Sequence, residues 1–179
     1  MNSSAKILEL LDGHEPSAGW LETDVARAML SDAKLRTRIY QAIHPAATPQ
    51  HANLLRSLLT HEVAFRRRDH HLVGPENAFE NLYWCALFLH QIGDLEDVLP
   101  LWRAKHTNFD TGCGFDTEFL VGAGVEATLA FLKASDDPDA PAAHDYVRMC
   151  NDAGAFDELA QWLSGRVAYF DELAGPTSH

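Results

Sequence analysis

Long hydrophobic runs are missing from this 179-residue chain. No apolar stretch approaches the roughly 20 residues that a membrane helix needs, so a membrane-spanning role is not expected. Cysteine is scarce: Cys85, Cys113 and Cys150 are odd in number, far apart and without a CxxC pair. That excludes a disulfide framework and fits a reducing compartment. The opening "MNSSAKILELLDG" lacks a basic segment followed by a long apolar one, which predicts no secretory signal and a cytoplasmic location. Nucleotide signatures are absent as well. There is no GxxxxGK followed by Ser or Thr, and the "GAG" before Val125 has no strand ahead of it.

Basic charge is scarce over most of the chain. Residues 1–70 hold nine Lys/Arg against eight Asp/Glu, a net of +1; residues 71–179 hold five against eighteen, a net of −13. The acidic portion repels nucleic-acid phosphates and anionic lipid, so neither is an expected partner, and it attracts basic surfaces. The densest cluster of cations in the first part comes late, at Arg66, Arg67 and Arg68.

What the chain does have is helical periodicity almost throughout. "AKILELLDG" places Ile7, Leu8, Leu10 and Leu11 on one side and stops at Gly13. From Trp20 to His44, Leu21, Val25, Met29 and Leu30, then Leu35, Ile39 and Ile43, recur at three- and four-residue spacings. A break at Ser31 and Asp32, with Asp32 as a cap, divides this run into two helices, and His44-Pro45 ends it. Thr48-Pro49 opens the next helix, whose buried stripe is Leu54, Leu55, Leu58, Leu59 and Val63, with Phe65 a further candidate. Gly74-Pro75 starts another. "LYWCALFL" is apolar nearly all round and reads as the central helix, its length and flanks favouring helix over strand; Phe79, Leu82, Tyr83, Ala86, Leu87 and His90 are its expected core.

Three glycines, Gly93, Gly124 and Gly154, stand 31 and 30 residues apart. Each follows a helical run and precedes another, where glycine takes the left-handed conformation that ends a helix. Leu95/Val98/Leu99, Val125/Leu129/Leu132 and Phe156/Leu159/Leu163 are the matching core positions. Over residues 76–173 this resembles the stacked helical hairpins of HEAT and tetratricopeptide arrays, although the consensus residues and 34-residue period of the latter are not reproduced. The expected architecture is a single all-α domain over 1–179, a helical bundle or short α-solenoid of about eight to ten helices, with N-terminal helices in 1–70 and hairpins in 76–173.

"FDTGCGFDTEFLVGAG", Phe109 to Gly124, carries Asp110, Asp116, Glu118, Cys113 and four glycines. The carboxylates lack the spacing of a calcium loop. Cys113 with His106 and Asp110 supplies the residue types of a nucleophilic site. The reading preferred is a bend: Asp110 caps or turns, Gly112 and Gly114 reverse the chain, Asp116 or Thr117 caps the next helix, and Phe115, Phe119 and Leu120 plug the core, with Gly122 and Gly124 allowing close packing. His61, Glu62, His70 and His71 supply metal-ligand types, but His61 and His70 are nine apart, unlike the HExxH zinc helix, and neither metal nor cofactor is expected. Trp84, Trp102 and Trp162, with Tyr83, Tyr146 and Tyr169, are mostly core, and an exposed Trp would be a binding anchor.

Acidic residues recur at expected helix starts: Asp94, Glu96, Asp97; Asp136, Asp137, Asp139; Asp152, Asp157, Glu158. There the helix dipole favours them, and in stacked hairpins they would line one rim. The candidate partner surface is Asp94, Glu96, Asp97, Trp102, Asp110, Asp116, Glu118, Asp152, Asp157 and Glu158. A small acidic helical protein of this kind looks like bacterial immunity proteins, which implies a non-catalytic protein that neutralises a basic toxin partner. The rival readings are a hydrolase or metal-dependent enzyme using the His, Cys and Asp residues above, and a helical scaffold or adaptor.

Overall fold

The computed structural model describes residues 16–67 and 78–174, and among them every regular element is helical. The protein is all-α, as expected, with ten α-helices and three 3₁₀ turns among the described residues. The segments at Ile7–Leu11 and Gly74-Pro75, with His70 and His71, lie outside them. The chain divides into two compact units, residues 1–88 and 89–179.

In the first unit, α1 (Ala18–Leu21), α2 (Asp24–Leu30) and α3 (Ala33–Ile43) replace the two helices expected from Trp20 to His44. The additional break comes from Thr23, whose Oγ1 accepts the Ala26 N–H at 3.1 Å and caps α2. The cap resets the helical phase: Ala26 and Leu30 are buried, while Val25, expected inside, is 53% exposed. Asp32 caps α3 as expected, accepting from Lys34 N–H at 2.9 Å. The helix ends before Pro45, with His44 in extended conformation. A 3₁₀ turn (Pro49–His51) then leads into α4 (Ala52–Arg67), and the Thr48 N–H donates to His51 Nδ1 at 3.0 Å.

Helix α4 buries Leu54, Leu55, Leu58 and Leu59, but its stripe continues through Glu62 and Arg66, with Val63 and Phe65 only half-buried. Helix α5 (Asn81–Ile92) buries Leu82 and every residue from Trp84 to Leu89. Phe79, expected in the core, is 39% exposed, and Tyr83 is half-buried. Asn81 ties the start of α5 to α3, its Nδ2 donating to Ala33 O at 3.1 Å and its Oδ1 accepting from Thr37 Oγ1 at 2.9 Å. Tyr40 stacks on Trp84 with centroids 6.5 Å apart.

Around Glu62 the first unit holds a closed polar network. Arg36 donates to Glu62 through Nε at 2.6 Å and NH2 at 3.1 Å, and Tyr40 OH donates to Glu62 Oε1 at 3.0 Å. Arg36 NH1 also donates to Leu30 O at 2.8 Å and Ser31 O at 3.1 Å, the carbonyls that close α2. All three side chains are fully buried. Burial works against the Arg36 guanidinium, but its hydrogen bonds and attraction to Glu62 outweigh that and raise its pKa.

Burial, with Cys85 and Glu62 nearby, pushes the Tyr40 phenol well above its ordinary value. A raised folded-state pKa contributes stability that is complete below the unfolded value, about 10, and is lost as pH rises through the folded one. Stability is therefore expected to fall above about pH 10, by up to about 1.4 kcal/mol per pH unit from this one group. Urea unfolding across that range, with Tyr40→Phe as the comparison, checks it: an alkaline limb equally steep in the variant would remove Tyr40 as the cause.

The second unit begins with the end of α5 and a 3₁₀ turn (Leu95–Asp97) capped by Asp94, whose Oδ1 accepts the Glu96 N–H at 3.0 Å. Then follow α6 (Val98–Lys105), α7 (Phe109–Gly114), a 3₁₀ turn (Thr117–Val121), α8 (Val125–Ala134), α9 (Ala140–Asp152) and α10 (Leu159–Ala174). Phe115, Phe119 and Leu120 are buried as expected. Of the matched positions, Val98, Leu99, Leu132 and Phe156 are buried, while Leu95, Val125, Leu129, Leu159 and Leu163 are half-buried.

Gly93, Gly124 and Gly154 are the glycines with positive φ among the described residues, at 71°, 92° and 77°. Gly124 differs from the expectation in detail: its ψ of 149° is extended, and it precedes α8 rather than ending a helix. The bend expected at Gly112 and Gly114 is instead the short helix α7. Asn108, not Asp110, caps it, with Oδ1 accepting from Thr111 N–H at 2.9 Å. Its far end is closed by Lys105, whose Nζ donates to Gly112 O at 3.2 Å and Phe115 O at 2.6 Å. That buried ammonium has its pKa lowered by desolvation.

Candidate binding groove

Helix α10 presents Trp162, Arg166 and Tyr169 at spacings of four and three, which places them on one face. Opposite lies the segment that enters the Thr117–Val121 turn, bringing Asp116 and Glu118. The turn from Gly154 to Glu158 lines the same space. Together these residues line an open groove of about 750 Å³, with Asp157 and Glu158 at the turn and Gln161 and Gly165 on the helix. Gly154 sits where a Cβ would come within 2.9 Å of Asp157 Oδ2, so the carboxylate lies close over the glycine.

One side of the groove is fixed by Asp116. It stands at the cap position of the 3₁₀ turn but makes no cap bond. Its Oδ2 instead accepts from Trp162 Nε1 at 2.8 Å and from the Arg166 guanidinium. The guanidinium carbon also lies 5.9 Å from the ring centres of Phe119 and of Tyr169. The Trp162 ring is held edge-on by Phe119 at 5.1 Å and His90 at 5.0 Å. Burial lowers the His90 pKa, which keeps this support uncharged near neutral pH.

Four carboxylates and one guanidinium therefore share the groove. Glu118, Asp157 and Glu158 form no ion pair with any described residue. Lys105, buried behind the segment, is within electrostatic range of Asp116 and Glu118. The arrangement suits a cationic ligand with an apolar stem: carboxylates for the charge, the Trp162 and Tyr169 side chains for the methylenes.

The ten expected partner residues are distributed unevenly. Asp116, Glu118, Asp157 and Glu158 meet in the groove. Asp97 and Trp102 are buried, at 1% and 9% exposure, and so present no surface to a partner. Trp102 packs on Tyr146 and on His106, 3.8 Å between centres for the latter. Asp94 and Glu96 are exposed in the 3₁₀ turn before α6, and Asp110 is exposed on α7. Asp152 is exposed but ends α9 rather than starting a helix.

Elsewhere in this unit the acidic charge is partly met by the chain's own cations. Arg103 bridges Asp137 at 2.6 Å and Asp139 at 2.7 Å, and its hydrogen bonds hold the Asp137 pKa below its ordinary value. Arg148 pairs with Asp145 at 3.3 Å. Of the residues considered for chemistry, Cys113 is exposed and His106 turns Nδ1 toward Trp102 O at 2.9 Å. Among the described residues no three His, Cys, Asp or Glu side chains are grouped as a metal site.

Fold and groove define an all-α protein with an acidic, aromatic-walled cleft. Comparison with protein-family models, with curated proteins and with solved structures gives no match.

Proposed function

We propose that this chain is a protein-binding module whose groove receives a basic partner, and that the partner is a toxin neutralised in the manner of an immunity protein. The observation that carries the reading is the convergence of Glu118, Asp157 and Glu158, none ion-paired, with the Trp162 and Tyr169 side chains lining one open groove. A net charge of −12 adds long-range attraction that speeds encounter with a cationic surface. Aromatic anchors beside carboxylates supply the short-range part.

The test is capture of a basic protein by the wild type and by Glu118→Lys/Glu158→Lys at low and high salt. Retention by the wild type alone, with affinity lowered by at least about tenfold in the variant and reduced by salt, is expected. Co-expression of the captured protein should be tolerated by cells with the wild type and not with the variant. Equal capture by both forms would remove the groove from the function.

A further inference from the structure

We infer that the groove is a guanidinium site and that Arg166 occupies it in the free protein as a stand-in for an arginine of the partner. The inference rests on the reading of the groove as the docking surface for a basic protein and names the side chain that surface reads. Arg166 shows what the site accepts. Its guanidinium meets the Asp116 carboxylate through Nε and NH2, and two aromatic ring centres lie 5.9 Å from its carbon. The carboxylate is aimed by a second donor, Trp162 Nε1 at 2.8 Å, and the indole is wedged between Phe119 and His90. Nε, NH2 and the indole N–H all converge on Asp116 Oδ2, and a planar cation lying against two rings fits this arrangement better than the compact ammonium of lysine.

The occupant is not sealed in. The Arg166 and Asp116 side chains retain 28% and 21% of their exposure, and the groove continues past them to Glu118, Asp157 and Glu158. Charge complementarity selects the incoming group. With Arg166 seated, three carboxylates of the four still lack a counterion in the groove. An arginine-bearing segment that displaces Arg166 keeps the Asp116 and ring contacts in kind and adds neighbouring cations for the remaining carboxylates. Arg166 thereby acts as a built-in competitor. It keeps Asp116 and Trp162 in binding geometry and scales the apparent affinity down to the fraction of time it is unseated.

The probes are a tetra-arginine and a tetra-lysine peptide of equal charge, titrated calorimetrically at low salt against the full chain. The Trp162 indole N–H resonance is followed in parallel. The arginine peptide is expected to bind at least about tenfold tighter and to shift that resonance, because the exchange occurs on the carboxylate it donates to. Arg166→Gln is expected to bind the arginine peptide about three- to tenfold tighter and to leave lysine-peptide affinity unchanged, and Asp116→Asn to abolish the preference. Thermal melts of both variants report their folding, and the wild-type comparison needs neither. Equal binding of the two peptides, or an unmoved indole resonance, overturns the inference. If both peptides bind alike and Glu118→Lys/Glu158→Lys releases both, acidic docking survives without a guanidinium site; if neither peptide binds, both readings fall.

Discussion

Replacing Glu62 with alanine is expected to destabilise the protein by about 3–5 kcal/mol, more than any change at the groove. The carboxylate accepts three hydrogen bonds in a fully buried position, two from Arg36 and one from Tyr40. Its removal leaves a guanidinium without a counter-charge in the interior and a phenol without an acceptor. Against a total of roughly 5–15 kcal/mol, such a loss is a large fraction of stability. For a chain of this size it corresponds to a fall in Tm of roughly 6–20 °C. The loss is one of pairing rather than of packing volume. Arg36→Met/Glu62→Leu should therefore be less destabilised than the sum of the two single changes, with a coupling of roughly 1–3 kcal/mol. The double variant should not return fully to wild type, because Leu30 O and Ser31 O lose their Arg36 donor. Additive single and double effects in calorimetry would show that the three groups do not act as a unit.

Glu62 also shows where periodicity reads well and where residue type misleads. The stripe Leu54, Leu55, Leu58, Leu59 continues in phase to Glu62 and Arg66, both buried. An apolar pattern search passes over them because they are charged, and the compensating Arg36 lies 26 residues away on α3. In the same way Arg36 and Tyr40 each follow a recognised core residue, Leu35 and Ile39, and share their buried side. Helix ends were legible where a single side chain decides them, as at Asp32 and before Pro45. They were not legible at Thr23, where the cap interrupts an otherwise continuous run and turns Val25 outward. The groove was half legible. Four of its carboxylates stood out by charge, but Asp116 and Trp162 are 46 residues apart and Asp116 and Arg166 are 50 apart, so their pairing needs the tertiary structure. The local sign that was available is the spacing of Trp162, Arg166 and Tyr169 on one helix face.

Gly122→Ala is the second large effect, and it separates two demands that glycine meets at positions two residues apart. Gly122 has an ordinary helical backbone, with φ −58° and ψ −30°, so alanine is acceptable there on conformational grounds. Space forbids it. A Cβ would lie 2.3 Å from His90 O, 2.8 Å from its Cα and 2.9 Å from its carbonyl carbon, all main-chain atoms of α5. A helix backbone does not rotate aside as a long side chain does, so the segment from Thr117 to Gly124 must lift away from the end of α5. The expected cost is about 3 kcal/mol, the upper end for overpacking a close contact. Gly93 faces the same crossing, where its own Cβ would meet Gly122 O at 2.9 Å. At Gly124 the demand is the reverse: nothing lies within 4 Å, but φ 92° with ψ 149° is a region that side chains avoid. Alanine there should cost about 1–3 kcal/mol through backbone strain alone. Gly165, within α10 and with nothing inside 4 Å, provides the opposite sign, since alanine in an open helix position should stabilise by roughly 0.5–1 kcal/mol. Denaturant midpoints for the three alanine variants check the set. Because His90 supports Trp162, the Gly122 variant alone should also shift the Trp162 indole resonance, and a Gly122→Ala protein as stable as wild type would show that α5 and the Thr117–Gly124 segment do not cross at this distance.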